Sequence, residues 1–224
     1  MLDGGTGADR MFGGTGDDTY IVDNVGDVVV EFDFEPGTDV VLSFVSFKIA
    51  GTIERAELQG TDNIGARGNN AANTLIGNEG DNDLVGVGGS DSLFGGDGQD
   101  FLRGQDGNDI LNGGDGDDKL FGSFGNDTNT GGAGNDKIVD EDFSDDADTF
   151  IFAPDMDTDA IYGFTNGRDD LDVSAFGFTQ IPDLNGLIKT VNGHAVIDFA
   201  DGDRLILVGI STGVLDASDF TFAV

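Results

Sequence analysis

Asp91, Asp100, Asp109, Asp118, Asp127 and Asp136 stand nine residues apart, and Asn73 and Asn82 continue the series toward the amino terminus. Carboxylates in strict register are ligands for a hard cation, which takes roughly six to eight oxygens from side chains, backbone carbonyls and water. The residues around each aspartate repeat as well. Every nine-residue unit from 68 to 139 starts with glycine, at Gly68, Gly77, Gly86, Gly95, Gly104, Gly113, Gly122 and Gly131. The fourth position is again glycine except at Ala71, and the eighth is aliphatic at Leu75, Leu84, Leu93, Leu102, Leu111, Leu120 and Ile138, with one break at Asn129. Glycine reaches φ > 0 without steric cost, so the first six residues can turn tightly around an ion. The last three suffice for a short strand whose middle side chain points inward. A short fixed period of glycine, aspartate and one aliphatic residue is the pattern of a parallel β-helix whose turns hold calcium.

Two more units, Gly4 to Phe12 and Gly13 to Ile21, keep the same register, which runs on to Val30 with Asp9, Asp18 and Asp27 at position six. Units such as Gly95-Gly96-Asp97-Gly98-Gln99-Asp100-Phe101-Leu102-Arg103 resemble the RTX (repeats-in-toxin, haemolysin-type calcium-binding) repeat G-G-x-G-x-D-x-U-x. That resemblance implies an all-β fold, a calcium-bound parallel β-roll, that is, a β-solenoid of nonapeptide repeats with two units per coil. Units two apart then share a calcium ion. This pairs Asp91 with Asp109, Asp100 with Asp118, Asp109 with Asp127 and Asp118 with Asp136, and it pairs Asn73 with Asp91 and Asn82 with Asp100. It makes ligands of these residues, of Asp9, Asp18 and Asp27, and of turn glycines such as Gly95, Gly98, Gly104, Gly107, Gly113 and Gly116. Several Ca2+ ions are expected, with weaker sites where asparagine stands for aspartate.

Four segments must position these groups. A short repeat block covers 1–30. Segment 31–67 loses the register and reads as a β-hairpin-like spacer, because Val40 to Phe47 is rich in β-branched and aromatic residues, is bounded by Pro36-Gly37 and Gly51, and is followed by an apolar run from Ile53 to Leu58. Segment 68–139 is the roll of eight nonapeptides. Segment 140–224 opens on an acidic cluster that includes Asp142 and Asp145 and continues as alternating strands, among them Asp148 to Phe152 and Asp201 to Leu207, ending in Ser218 to Val224. This region resembles the carboxy-terminal part of serralysin-type proteases and alginate epimerases. That resemblance implies a β-rich cap carrying an uncleaved type I secretion signal, hence export from a Gram-negative cell and an extracellular location.

Composition narrows the partners. Ten lysines and arginines face 44 acidic groups, for a formal charge of −34, so nucleic acid and anionic membranes are repelled. Cysteine is absent, which leaves no disulfide or thiolate site. No apolar run has the length of a transmembrane segment, and no basic stretch followed by a hydrophobic one marks a cleaved leader. The single histidine, His194, lacks a nucleophile motif beside it, so the chain is read as non-catalytic. The leading expectation is a calcium-binding module that folds outside the cell after type I secretion. The alternative is the carboxy-terminal fragment of a larger secreted protease, polysaccharide lyase or epimerase, or of an adhesin or surface-layer protein.

Positions seven and nine must point outward. Phe101, Arg103, Lys119, Phe121 and Lys137 should therefore share one face with Arg67, Asp83, Val85 and Val139. They are either covered by the spacer or the carboxy-terminal strands, or they form a ligand strip for an anionic polysaccharide or a partner protein.

Overall fold

The computed structural model describes residues 1–31, 37–141, 146–199 and 202–223; Pro36, Asp142, Asp145, Asp201 and Val224 lie outside them. Among the described residues the chain winds between two long sheets and a small third one, as an all-β parallel β-solenoid. The first sheet has 11 strands, running from Leu2–Asp3 to Phe220–Thr221, and the second has 10, bounded by Phe47–Lys48 and Ile188–Val191. The third pairs Arg10–Phe12 with Val28–Val30.

Alternation within each strand builds the core. Leu84, Leu102 and Leu120 lie in register and lead on to Ile138, Ile161 and Leu207, forming the inward column of the second sheet. The first sheet stacks Tyr20, Val41, Ala56, Leu75, Leu93 and Leu111, then Asn129, Phe150, Leu171 and Phe220. All of these except Phe220 are essentially inaccessible. Full burial of one such aliphatic side chain contributes about 1.5–3 kcal/mol, so the two columns carry the stability of the roll.

The spacer is not a hairpin. Val40–Ser43 and Arg55–Leu58 do pair, but in parallel, and Val40–Ser43 also pairs in parallel with Thr19–Val22. A hairpin reverses through a short loop. Here the chain instead leaves the first sheet after Ser43, adds Phe47–Lys48 to the edge of the second, and returns through a turn at Gly51 (φ 67°). The segment is thus one more coil, and it buries Ile49 and Ile53.

Both sheets also cross the boundary expected at Val139. Thr128–Ala133 pairs with Thr149–Ile151, and Lys137–Val139 pairs with the strand Thr158–Tyr162. The parallel winding changes only at the end of the second sheet, where Ile188–Val191, His194–Asp198 and Arg204–Val208 form an antiparallel meander. His194 lies in this meander, and its Nδ1 accepts a hydrogen bond from Gly209 N–H.

Candidate metal centre

The turns align the aspartates through the backbone. One oxygen of each aspartate accepts the N–H of the corresponding residue one coil earlier. Asp91 N–H donates to Asp109 Oδ1 (2.7 Å), Asp100 N–H to Asp118 Oδ1 (2.8 Å), Asp109 N–H to Asp127 Oδ1 (2.8 Å) and Asp118 N–H to Asp136 Oδ1 (2.8 Å). The two residues of each pair stand 18 apart, one coil of the solenoid. Asp91, Asp100, Asp109, Asp118 and Asp136 are each at most 2% exposed. Their second oxygen, Oδ2, is buried and has no hydrogen-bond partner among the described residues; Asp9 Oδ2 is in the same state.

Glycine makes room for these oxygens. A Cβ placed on Gly86, Gly95, Gly104, Gly113 or Gly131 would overlap the Oδ2 of the aspartate five residues on. The fourth-position glycines serve a different need. Gly98, Gly107 and Gly116 have φ of 117°, 133° and 133°, a region that L-side chains rarely adopt, and a Cβ there would strike the backbone one coil earlier. First-position glycine therefore vacates space and fourth-position glycine supplies the turn.

A buried carboxylate oxygen with no donor is costly in the charged form. Burial lifts Asp118 to about 8 and Asp91 to about 7, with neighbouring carboxylates adding to the effect and a backbone N–H opposing it. Asp100, Asp109 and Asp136 are raised to about 6, again chiefly by burial. A column of such oxygens beside backbone carbonyls fits a hard divalent cation.

Asn73 and Asn82 sit in the same ladders and satisfy themselves. Their Oδ1 atoms accept from Asn69 N–H and Asn78 N–H, and their Nδ2 atoms donate to Ile53 O (3.1 Å) and Ile64 O (2.9 Å). The amide nitrogen thereby does for a carbonyl what a cation would do. Asp27 is likewise engaged, by the N–H groups of Asp9, Asp23 and Asn24.

The ladders extend to residues the nine-residue register does not reach. Asp18 N–H donates to Asp39, Asp39 N–H to Glu54, Asp127 N–H to Asp148, Asp148 N–H to Asp169 and Asp136 N–H to Asp159. Burial raises Asp159 to about 8, and the charges of Asp136, Asp203 and Asp157 add to this. The signal in the sequence is an acidic residue two before an inward apolar one, as in Asp39-Val40-Val41 and Asp159-Ala160-Ile161. One acidic group gathers there: carboxylate oxygens of Asp18, Glu31 and Asp39 lie within 4.8 Å of one another, and the Tyr20 hydroxyl donates to Glu31.

Residues 1–29, 67–102, 94–128 and 103–138 match the RTX calcium-binding nonapeptide repeat, four copies that together cover less than half of the chain. The chain thus contains an RTX-type calcium-binding nonapeptide-repeat domain folded as a β-solenoid, and the repeat that it matches is a calcium-binding unit and not a catalytic one. No curated protein matches the chain. One similar solved structure is the extracellular lipase LipA from Serratia marcescens, at 18% identity and a TM-score of 0.37 over 73% of this chain. The match spans 41% of that chain, well under half of its length.

The outward residues form a continuous face. Asp83, Phe101, Lys119 and Lys137 lie in one register row of the second sheet, and Lys48, Arg67, Val85, Arg103, Phe121 and Val139 lie in another. Phe101 and Phe121 are half-buried against each other, with ring centroids 5.0 Å apart. The Arg103 guanidinium lies 4.9 Å and 5.7 Å from those two centroids, and the Lys137 ammonium lies 4.7 Å from the Tyr162 ring.

Proposed function

We propose that this solenoid is a calcium-driven folding module that takes up several Ca2+ ions along its two turn edges. Asp91, Asp100, Asp109, Asp118, Asp127 and Asp136 would supply the side-chain charge, Asp9 and Asp18 would serve the amino-terminal block, and the turn carbonyls would complete the shell. The carrying observation is the column of buried Oδ2 atoms of Asp91, Asp100, Asp109, Asp118 and Asp136, which have no hydrogen-bond partner among the described residues. Calcium would neutralise the mutual repulsion of these groups and offset the ordering entropy of glycine-rich turns, so its binding free energy becomes folding free energy. Without it the repeats are expected to be largely disordered. Circular dichroism of chelator-treated protein titrated with calcium tests this. A cooperative gain of β signal is expected, and a β-rich spectrum indifferent to chelator would overturn the reading.

Extracellular calcium modules bind at about 10⁻⁴ to 10⁻³ M, so sites in that range stay empty in a bacterial cytosol and fill outside. The likeness of segment 140–224 to serralysin-type and epimerase tails supports type I export of the unfolded chain, with the module serving as the non-catalytic part of a larger secreted enzyme or adhesin. Secretion of a reporter fused to residues 140–224 through a reconstituted type I exporter is the check; retention in the cell would refute it.

A further inference from the structure

The turn before Thr19–Val22 differs from those of the array. The inward eighth position, aliphatic in the array except at Asn129, is Tyr20 in the unit that starts at Gly13. Tyr20 is fully buried, and its hydroxyl reaches out of the hydrocarbon column to donate to Glu31. A buried phenol needs such a partner. It also brings to the turn an oxygen that leucine cannot.

Three strand ends meet there. Asp18 precedes Thr19–Val22, Glu31 follows Val28–Val30 and Asp39 precedes Val40–Ser43. Among the described residues this is the one place where three acidic side chains bring oxygens within 4.8 Å of one another. Gly13 marks their convergence. In the array a first-position glycine leaves room for the carboxylate of one aspartate, as Gly104 does for Asp109, whereas a Cβ on Gly13 would overlap oxygens of three residues: the Tyr20 hydroxyl, Glu31 Oε1 and Asp18 Oδ2.

The group is short of donors. Asp39 is 6% exposed, yet the only hydrogen bond reaching its carboxylate among the described residues comes from Asp18 N–H, to Oδ1 (2.9 Å). Its other oxygen has no donor. Neither Asp18 nor Asp39 forms a salt bridge among the described residues. One phenolic proton cannot serve three carboxylates, and a buried anion without a partner is costly.

We propose that Asp18, Glu31, Asp39 and the Tyr20 hydroxyl together hold one Ca2+ ion, at a site outside the nonapeptide pairs and tighter than any of them. The proposal rests on the reading of this chain as a calcium module and goes beyond it, because the nine-residue register supplies only Asp18 of the four. Calcium takes roughly six to eight oxygens, and its affinity is tuned by the number of charged ligands. Here three carboxylates converge, where an array pair offers two. Magnesium keeps several waters and takes about one or two carboxylates, so a cluster this rich in protein oxygens favours calcium.

Terbium(III) tests the site, because it enters oxygen-rich calcium sites and emits when a nearby tyrosine is excited. The chain has two tyrosines, Tyr20 and Tyr162, and no tryptophan. Calcium-folded protein is titrated with Tb3+ while circular dichroism is recorded on the same samples. Sensitised emission should appear, yield to excess calcium more readily than to magnesium, survive Tyr162→Phe and vanish in Tyr20→Phe. Glu31→Gln and Asp39→Asn should each raise the Tb3+ concentration at half-emission at least about tenfold. Glutamine still accepts the Tyr20 proton, so if Glu31 served only as that acceptor, Glu31→Gln would titrate as the wild type does. Absent emission, emission that survives Tyr20→Phe, displacement by magnesium as readily as by calcium, or a wild-type midpoint in either variant would overturn the proposal; if one variant fails to fold by circular dichroism, the other decides. Circular dichroism that still responds to calcium in the wild type would then leave the module reading standing while this site falls.

Discussion

Replacing Asn129 with leucine should stabilise the solenoid. Asn129 stands in the inward column of the first sheet between Leu111 and Phe150. It is 1% exposed, and its Oδ1 has no hydrogen-bond partner among the described residues. A buried acceptor left in that state costs about 1–3 kcal/mol, and burying a leucine there contributes about 1.5–3 kcal/mol. Against this stands the larger volume of leucine, since overpacking costs about 1–3 kcal/mol where the surroundings cannot give. The rungs on either side already accept leucine and the larger phenylalanine, so the net effect should be near 2 kcal/mol, or about 4–8 °C in melting temperature for a chain of this size. Thermal and denaturant unfolding in saturating calcium measure it, with an unchanged denaturant slope showing that only stability has moved. Asn129→Ala serves as control. If Asn129→Leu melts at or below the wild type while Asn129→Ala melts above it, the rung has no room and the reasoning fails.

Asp109→Ala and Asp118→Ala should shift calcium-driven folding to higher calcium than Asn73→Ala does, because each removes a buried carboxylate from two successive ladder steps, whereas Asn73 is satisfied by Asn69 and Ile53; equal midpoints by circular dichroism would contradict this. Gly104→Ala should impair the calcium response by displacing Asp109 Oδ2, while Gly107→Ala should lower stability even in saturating calcium, since its φ of 133° and the nearby Gly89 carbonyl both exclude a side chain. In chelator, β content should rise as pH falls from about 8 to about 5. Asp118 and Asp159 have folded-state values near 8, above the ordinary 3.8, so the metal-free fold is favoured at low pH and loses that advantage as pH rises through those values. With calcium the slope should reverse, because protons and cation compete for the same oxygens; a titration flat in both conditions would count against it.

The nonapeptide array was legible because its period is short and each position has one physical task. The coil at 40–58 was harder to read. Val40–Ser43 has the composition of any strand, and a crossing strand of two residues, Phe47–Lys48, leaves no periodic trace to distinguish a coil from a hairpin. Asp39, Asp148, Asp159 and Asp169 were not recognised as ladder members because coils there are 21 to 23 residues long instead of 18, so the glycine register that marks position six is lost. The positive φ of Val87, Gln105 and Ser123 could not be foreseen either, since nothing in a non-glycine residue announces a left-handed backbone.

The carboxylate ladders have a grain. In each pair described above the N–H belongs to the earlier coil and the oxygen to the later one, so within these ladders each position-six N–H is satisfied by the coil that follows it. Cutting coils from the carboxy-terminal side would strand buried donors in the coil left behind, and the loss would pass inward coil by coil. Cutting from the amino-terminal side would release from these ladders acceptor oxygens alone, at an open end where water can reach them. As far as the carboxylate ladders are concerned, the two ends of the roll are therefore unequal as places to shorten it, as a zip is unequal at its slider and its stop.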